Sequence, residues 1–343
     1  MSEFWSGRPI LITGGTSFIG SHLTDALVAA GAKVRLVDDL SSGRLGNVAG
    51  HVDAGAVEFV RGSVLDTAQT AAALDGIDIC FHLANRHGGR GYVDRFQADC
   101  ATNFAADGIV IQAAHRVGAK VVFASSGCVY PLHLQRDPSR EVRLSEDMVG
   151  PPYDADNTYG YAKLMAELTL KAFHRHYGMR AAIGRFFTVY GERGYESHAV
   201  TALIARSFID QDPYVVWGNG EQRRNWTHVS DIVSGLLLLG EKVDDATSVN
   251  LGTTEAIRVI DAVHEILRYT GKAPRIEFHP NKPTGPACRV ADRSLATSLL
   301  GWTPKVAFAD GLRQMIDWYY ATKNPDAVRA AMAIEERRAE EAK

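Results

Sequence analysis

Tyr159 and Lys163 stand four residues apart in Tyr159-Gly-Tyr-Ala-Lys163. On a helix this spacing puts both side chains on one face. An ammonium beside a phenol lowers the phenol's pKa, so the pair can exchange a proton with a substrate hydroxyl. Ser126 follows a strand-like run and can assist. Cys128 comes two residues later, in Ala124-Ser-Ser-Gly-Cys-Val-Tyr-Pro131. A thiolate is a competent base once positive charge lies nearby. Ser197-His198 opens a later helical run, and an imidazole can donate a proton near neutral pH. A base on one face of a ring and an acid on the other are what inversion of a carbon beside a ketone requires.

These groups need a scaffold, and the chain provides alternating elements. Apolar runs at Pro9–Thr13, Lys33–Asp38, Val57–Arg61, Ile77–Leu83, Lys120–Ala124 and Arg180–Phe186 read as strands. Helical spacing falls between them, at Ser21–Ala30, Thr67–Leu74, Thr102–Val117 and Tyr159–Tyr177. Strict alternation predicts an α/β fold with a parallel sheet and helices on both faces. The first strand runs into Gly14-Gly15-Thr16-Ser17-Phe18-Ile19-Gly20 and then a helix. Glycines there let a backbone approach a pyrophosphate, and the helix N-terminus offers free N–H groups. Asp38 ends the second strand, where a carboxylate accepts from both adenosine ribose hydroxyls and repels a 2′-phosphate. This favours NAD over NADP, with Arg44 the residue that could reach a 2′-phosphate.

After about Tyr190 the alternation stops. The expected division gives residues 1–187 and about 225–255 to a cofactor-binding domain. Residues 188–224 and 256–325 form a substrate-binding domain, and 326–343 a helical tail. The 343 residues carry 37 basic and 40 acidic side chains, a net charge of −3. That balance argues against nucleic acid held by a strong basic field. The four cysteines, Cys80, Cys100, Cys128 and Cys288, have no CxxC or zinc spacing, so no metal is expected. No apolar run approaches the roughly 20 residues of a membrane span. With no basic-then-apolar leader at the start, the expectation is a cytoplasmic protein with reduced thiols.

Over nearly its whole length the chain resembles the extended short-chain dehydrogenase/reductase family, in its nucleotide-sugar branch. Arg185-Phe-Phe-Thr-Val-Tyr-Gly191 is similar to that branch's RFxNVYG. Gly218 to Asp231 is similar to GDGxQxRDFxxVxD, and Arg289-Val-Ala-Asp292 with Leu300-Gly-Trp-Thr-Pro304 to RxxD…LGWxP. The SSxCxYP form around Cys128, His198, and the Gly88-Gly89 loop resemble GDP-mannose 3,5-epimerases and GDP-fucose synthases. The resemblance implies a Rossmann-type doubly wound sheet with a smaller α+β C-terminal substrate-binding domain, and a homodimer. It implies cofactor contacts from Gly14, Ser17, Phe18, Ile19, Gly20, Asp38, Leu83, Ala84, Asn103, Tyr159 and Lys163. It implies substrate contacts from Gly88, Gly89, Ser126, Thr188, Arg206, Arg224 and Arg289, with Arg224 and Arg289 facing a diphosphate. Catalysis falls to Tyr159, Lys163, Ser126, Cys128 and His198. Ser17, Ser63, Thr188, Asn225 and Ser230 depart from the family's residues at their positions.

The reading that follows is an NAD-dependent nucleotide-sugar epimerase. It would invert C3 and/or C5, through a transient 4-keto sugar, on a GDP-sugar. One alternative is an epimerase/reductase acting on a 4-keto-6-deoxy nucleotide sugar. Another is a C4 epimerase, which has no need of Cys128. A non-catalytic NAD-binding regulator is opposed by the intact Tyr159–Lys163 pair.

Overall fold

Strand β1 (Pro9–Thr13) shows how the larger lobe is built. Its alternation sends Ile10 and Ile12 into the apolar cluster on one face of the sheet and Leu11 into the cluster on the other. A strand covered on both faces reads as an unbroken apolar run. Strands β2 (Lys33–Asp38), β3 (Val57–Arg61), β4 (Ile79–His82) and β5 (Lys120–Ser126) follow. In this computed structural model, which describes residues 3–341, they join Ala181–Phe186 and Asp245–Leu251 in one sheet. All seven strands are parallel, in the order Asp245–Leu251, Ala181–Phe186, β5, β4, β1, β2, β3. The expected doubly wound architecture is present. The winding reverses between β1 and β4, so the loops at their carboxyl ends part and leave a cleft.

Helix α1 (Phe18–Ala29) starts earlier than the expected Ser21. Ser17 has extended backbone and stands as the N-cap, so helical geometry begins at the next residue. The Gln97–Val117 helix also starts ahead of the expected Thr102. The short Arg90–Arg95 helix leads into it through Phe96. Gly118, in left-handed conformation, ends it.

The second lobe packs the Ala199–Phe208, Val259–Thr270 and Phe308–Thr322 helices around Tyr214, Trp226 and Met315. The amphipathic spacing of Val259–Thr270 turns Ile260, Val263, Ile266 and Leu267 into that core. A parallel pair, Tyr214–Trp217 with Ile276–His279, lies in this lobe. A small four-stranded sheet orders Ile257–Arg258, Arg223–Arg224, Cys288–Ala291 and Arg143–Leu144. The last of these comes from the first half of the chain, which the expected division does not anticipate. The tail forms a helix over Pro325–Glu341. Residues 1–2 and 342–343, included in that division, lie outside the described residues. Among the described residues no helix is long and apolar enough to cross a membrane.

Candidate active site

Tyr159 and Lys163 lie one turn apart on the Asn157–Tyr177 helix, as their spacing requires. The Lys163 Nζ is 4.6 Å from the Phe123 ring centroid and 5.9 Å from that of Tyr159. Ser126, at the end of β5, lies close enough to the Tyr159 phenol to act on it. The expected lowering of that phenol is reversed here. Burial pushes it above its ordinary value and Cys128 adds to the shift, while Ser126 opposes it. Burial also pushes the Lys163 ammonium down, against the opposing pull of Asp107 and Glu167. For Lys163 desolvation outweighs the neighbouring charges, whereas for Tyr159 the two act in the same direction.

Cys128 lies in the single turn Gly127–Val129 that leaves β5, with its N–H donating to Ser126 Oγ at 3.1 Å. The same turn anchors the catalytic helix, because the Asp156 N–H donates to the Cys128 carbonyl at 2.8 Å. Arg289, on the Cys288–Ala291 strand, donates from Nη1 to the Cys128 sulfur at 3.0 Å. Its Nε donates to Gln135 Oε1 at 2.6 Å and its Nη2 to Asp156 Oδ2 at 2.7 Å. The guanidinium expected at a diphosphate is therefore committed to the thiol and its supports. Asp156 also receives Arg90 Nη1 at 2.6 Å. Burial opposes the charge of Asp156, but Arg289 and Arg90 outweigh it and hold the carboxyl below the usual range. Arg224 donates to the carbonyls of Arg223 and Thr284 at 2.7 and 2.8 Å. Burial disfavours its charge, and repulsion from Arg289 and Arg90 adds to that. Three guanidiniums thus gather near one buried carboxylate, an arrangement that attracts a further anion. Arg90 and Asp156 were not anticipated. Their only sequence signal is position, one beside the Gly88-Gly89 pair and one at the helix start.

His198 stands apart from the thiol, as the N-cap of Ala199–Phe208. Its ring stacks on His87 with centroids 5.8 Å apart, and lies 6.0 Å from Phe18 and 5.5 Å from Tyr195. Burial pushes its pKa down to about 4. In this structure the imidazole is neutral at neutral pH, contrary to the expectation of an acid poised there. Gly89 explains how the loop reaches it, since a Cβ at that position would lie 1.8 Å from the Ser197 carbonyl oxygen. Thr188 is on the Thr188–Tyr190 strand. Arg206 is not brought to the site. It lies in the last turn of its helix, donates to the Ala202 carbonyl at 3.0 Å, and faces a cavity shared with Asp210, Tyr214 and Lys272.

The cofactor candidates converge on the cleft between β1 and β4, which Gly14, Ser17, Asp38, Leu83, Ala84 and Asn103 line. Phe18, Ile19 and Gly20 form the first turn of α1. A Cβ on Gly20 would come within 2.1 Å of the Gly14 carbonyl oxygen, so only glycine closes this turn. Ser17 replaces a glycine without strain, its hydroxyl donating to the Gly14 carbonyl at 2.6 Å. Asp38 is buried and accepts from the N–H groups of Thr16 at 3.1 Å and Leu40 at 2.9 Å. Arg44 is turned away to Glu196, at 3.9 Å. Asn103 acts through the loop after β4, accepting from the Arg86 N–H at 2.8 Å and donating to the Arg86 carbonyl at 3.0 Å.

A network below the cleft escaped the sequence reading. Thr13 Oγ1 accepts from the N–H groups of Leu83 and Ala84, both at 3.1 Å, and lies 2.7 Å from His82 Nδ1. His82 Nε2 is 3.0 Å from Asp107 Oδ1. The signal was available for Thr13 and His82, each a polar residue in an otherwise apolar strand.

A doubly wound sheet, a glycine turn at its switch point and a Tyr–Lys pair beside the cleft define a dinucleotide-dependent enzyme. The model of the NAD dependent epimerase/dehydratase family matches residues 10–252, and the chain belongs to that family. NAD is its cofactor. UDP-glucuronic acid decarboxylase 4 of Arabidopsis thaliana is 31% identical over 311 residues, 90% of this chain and 67% of that protein. GDP-mannose 3,5-epimerase 1 of Oryza sativa subsp. japonica is 28% identical over 324 residues, 92% of this chain and 83% of that protein. The crystal structure of UDP-glucuronic acid 4-epimerase from Bacillus cereus, with UDP-glucuronic acid and NAD, matches with a TM-score of 0.82 at 26% identity. That match covers 92% of this chain and 100% of the other. The residues fit the cofactor. The glycine turn opens onto the α1 N-terminus, Asp38 closes the far end, and the buried Thr16 hydroxyl has no partner among the described residues.

Proposed function

We propose that this protein is a nucleotide-sugar epimerase that inverts C3 and/or C5 of a GDP-sugar by way of a 4-keto sugar. The observation that carries this reading is the Cys128 sulfur 3.0 Å from the Arg289 guanidinium, two residues from Ser126. Bound NAD supplies the hydride acceptor for C4 and the hydride that later restores it. Tyr159, assisted by Ser126 and Lys163, takes the 4-OH proton, which requires the positive charge that bound NAD brings beside the phenol to offset the burial that raises its pKa. With C4 a ketone, the adjacent C–H protons become acidic. Cys128 removes one of them, and Arg289 provides the cation that a thiolate base needs beside it. Arg224 binds the diphosphate. His198 returns a proton to the opposite face, its imidazolium favoured by the negative charge of the bound substrate and by Glu196.

Solvent exchange tests the reading. Incubation with a panel of GDP- and UDP-sugars in deuterium oxide is expected to place deuterium at C3 or C5 of a GDP-sugar. Cys128→Ala is expected to abolish that exchange. Exchange that persists in the variant would remove the thiol from the mechanism. Inversion at C4 alone, with no carbon-bound deuterium, would favour a C4 epimerase, the activity of the Bacillus cereus relative. The proposed assembly is a homodimer through the Gln97–Val117 and Asn157–Tyr177 helices, where Phe104, Tyr161, Met165 and Tyr177 are exposed.

A further inference from the structure

Residues 191–198 link the Thr188–Tyr190 strand to the helix that begins at Ala199. The segment belongs to the second lobe, yet it is tied to the cofactor lobe along its length. The Glu192 carbonyl is 3.0 Å from His22 Nε2, and Arg193 Nη1 is 2.9 Å from Asp25, both partners lying on α1. The Arg44 guanidinium lies over the Tyr195 ring, 5.6 Å from its centroid, and 3.9 Å from Glu196. Glu196 is held from its own lobe by the Tyr319 hydroxyl at 3.0 Å and by Lys323 at 3.5 Å. The segment therefore runs along α1 from Asp25 and His22, next to the first turn, where the chain would meet a pyrophosphate.

Tyr195 occupies the middle of this segment. Its hydroxyl oxygen is buried and has no well-formed hydrogen bond among the described residues. The backbone N–H of Phe18, the first residue of α1, and the carboxylate of Asp38 are both close enough to act on it. A buried O–H without an acceptor is costly. Here it lies beside an N–H of the helix N-terminus, and two donors side by side make a receptor for an anionic oxygen. The groups facing the phenol are Arg44, Asp38, Glu196 and His198, so Arg44 is the cation nearest the ring.

We propose that Tyr195 binds the cofactor, its phenol donating to the NAD pyrophosphate on the α1 N-terminus, and that residues 191–198 form a strap that must lift before NAD leaves. The proposal rests on the cofactor and not on the epimerase reading. Arg44, a possible 2′-phosphate ligand by sequence, acts instead as the strap's attachment point through Tyr195 and Glu196.

The test is calorimetric titration of nucleotide-depleted protein with NAD, ADP and adenosine, in wild type and Tyr195→Phe. Losing a hydrogen bond to a charged group should weaken NAD and ADP by about tenfold and leave adenosine unchanged. A stopped-flow chase of bound NAD should show faster release in Glu196→Gln, by about threefold or more, since the strap then loses its ion pairs to Arg44 and Lys323. Neither measurement requires turnover. NAD and ADP affinities within twofold of wild type in Tyr195→Phe would overturn the pyrophosphate contact, as would an equal loss for adenosine. An unchanged release rate in Glu196→Gln would overturn the strap.

Discussion

The two sides of the molecule on which Cys128 and His198 lie are built from opposite materials. On one, Cys128 is set in charged and hydrogen-bonded surroundings, with Arg289, Asp156, Arg90 and Gln135 each placed by at least one directed contact. On the other, His198 lies among the rings of His87, Phe18 and Tyr195, and burial keeps it neutral. The first side is made to hold negative charge. The second resists charge until something bound beside it supplies a reason for it. In the proposed reaction the acid and the base are not built alike, and only the proposed base, Cys128, has a cation beside it.

The largest expected effect comes from breaking the charged side at its reacting atom. Cys128→Ala should lower carbon-bound deuterium exchange by roughly 10²–10⁴-fold, the range of a lost general base, as read by NMR of the recovered sugar. Nucleotide-sugar oxidation at C4, read by transient absorbance at 340 nm, should persist. Next is Arg289→Met, which leaves the buried Asp156 with Arg90 alone. Loss of one partner from a buried ion network should cost about 3 kcal/mol in denaturant unfolding, besides slowing exchange.

The aromatic side should respond to pH. The ordinary value of His198, 6.5, is pushed down to about 4 in the folded protein, so between those values the unfolded chain binds more protons. Stability should then fall as pH drops through that window, and His198→Asn should flatten the fall in thermal melts. The same variant should reduce inversion while leaving exchange at the Cys128 face. The smallest effect is expected for Arg44→Ala assayed for cofactor choice. Arg44 is more than half exposed, at 55%, and paired with Glu196. NADP should gain less than twofold over NAD, and stability should change by about 0.5 kcal/mol.

Most of the fold could be read before the structure, because apolar strands covered on both faces and glycine-ended helices leave strong local patterns. The Tyr159–Lys163 spacing, the β1–α1 turn and the place of Asp38 are such local signals. What escaped was set by residues far apart in the chain. Arg289 meets the Cys128 thiol from a strand 161 residues further along the chain, paired with Arg143–Leu144, which no local periodicity reveals. Arg206 lines a cavity with Asp210, Tyr214 and Lys272, an arrangement set by the packing of the second lobe rather than by local sequence. The pKa expectations for Tyr159 and His198 failed for one reason. They counted neighbouring charges, whereas burial depends on the whole fold.

The exchange of strands between the lobes has a consequence for cutting and grafting. Arg143–Leu144 completes the small sheet of the second lobe, while Asp245–Leu251, well inside the later half, forms the edge of the large one. No single break in the backbone separates the lobes. A chimera with a new sugar specificity would need several junctions, and severing any one strand should loosen both halves at once. The protein should therefore melt in one transition, and limited proteolysis should release no stable half.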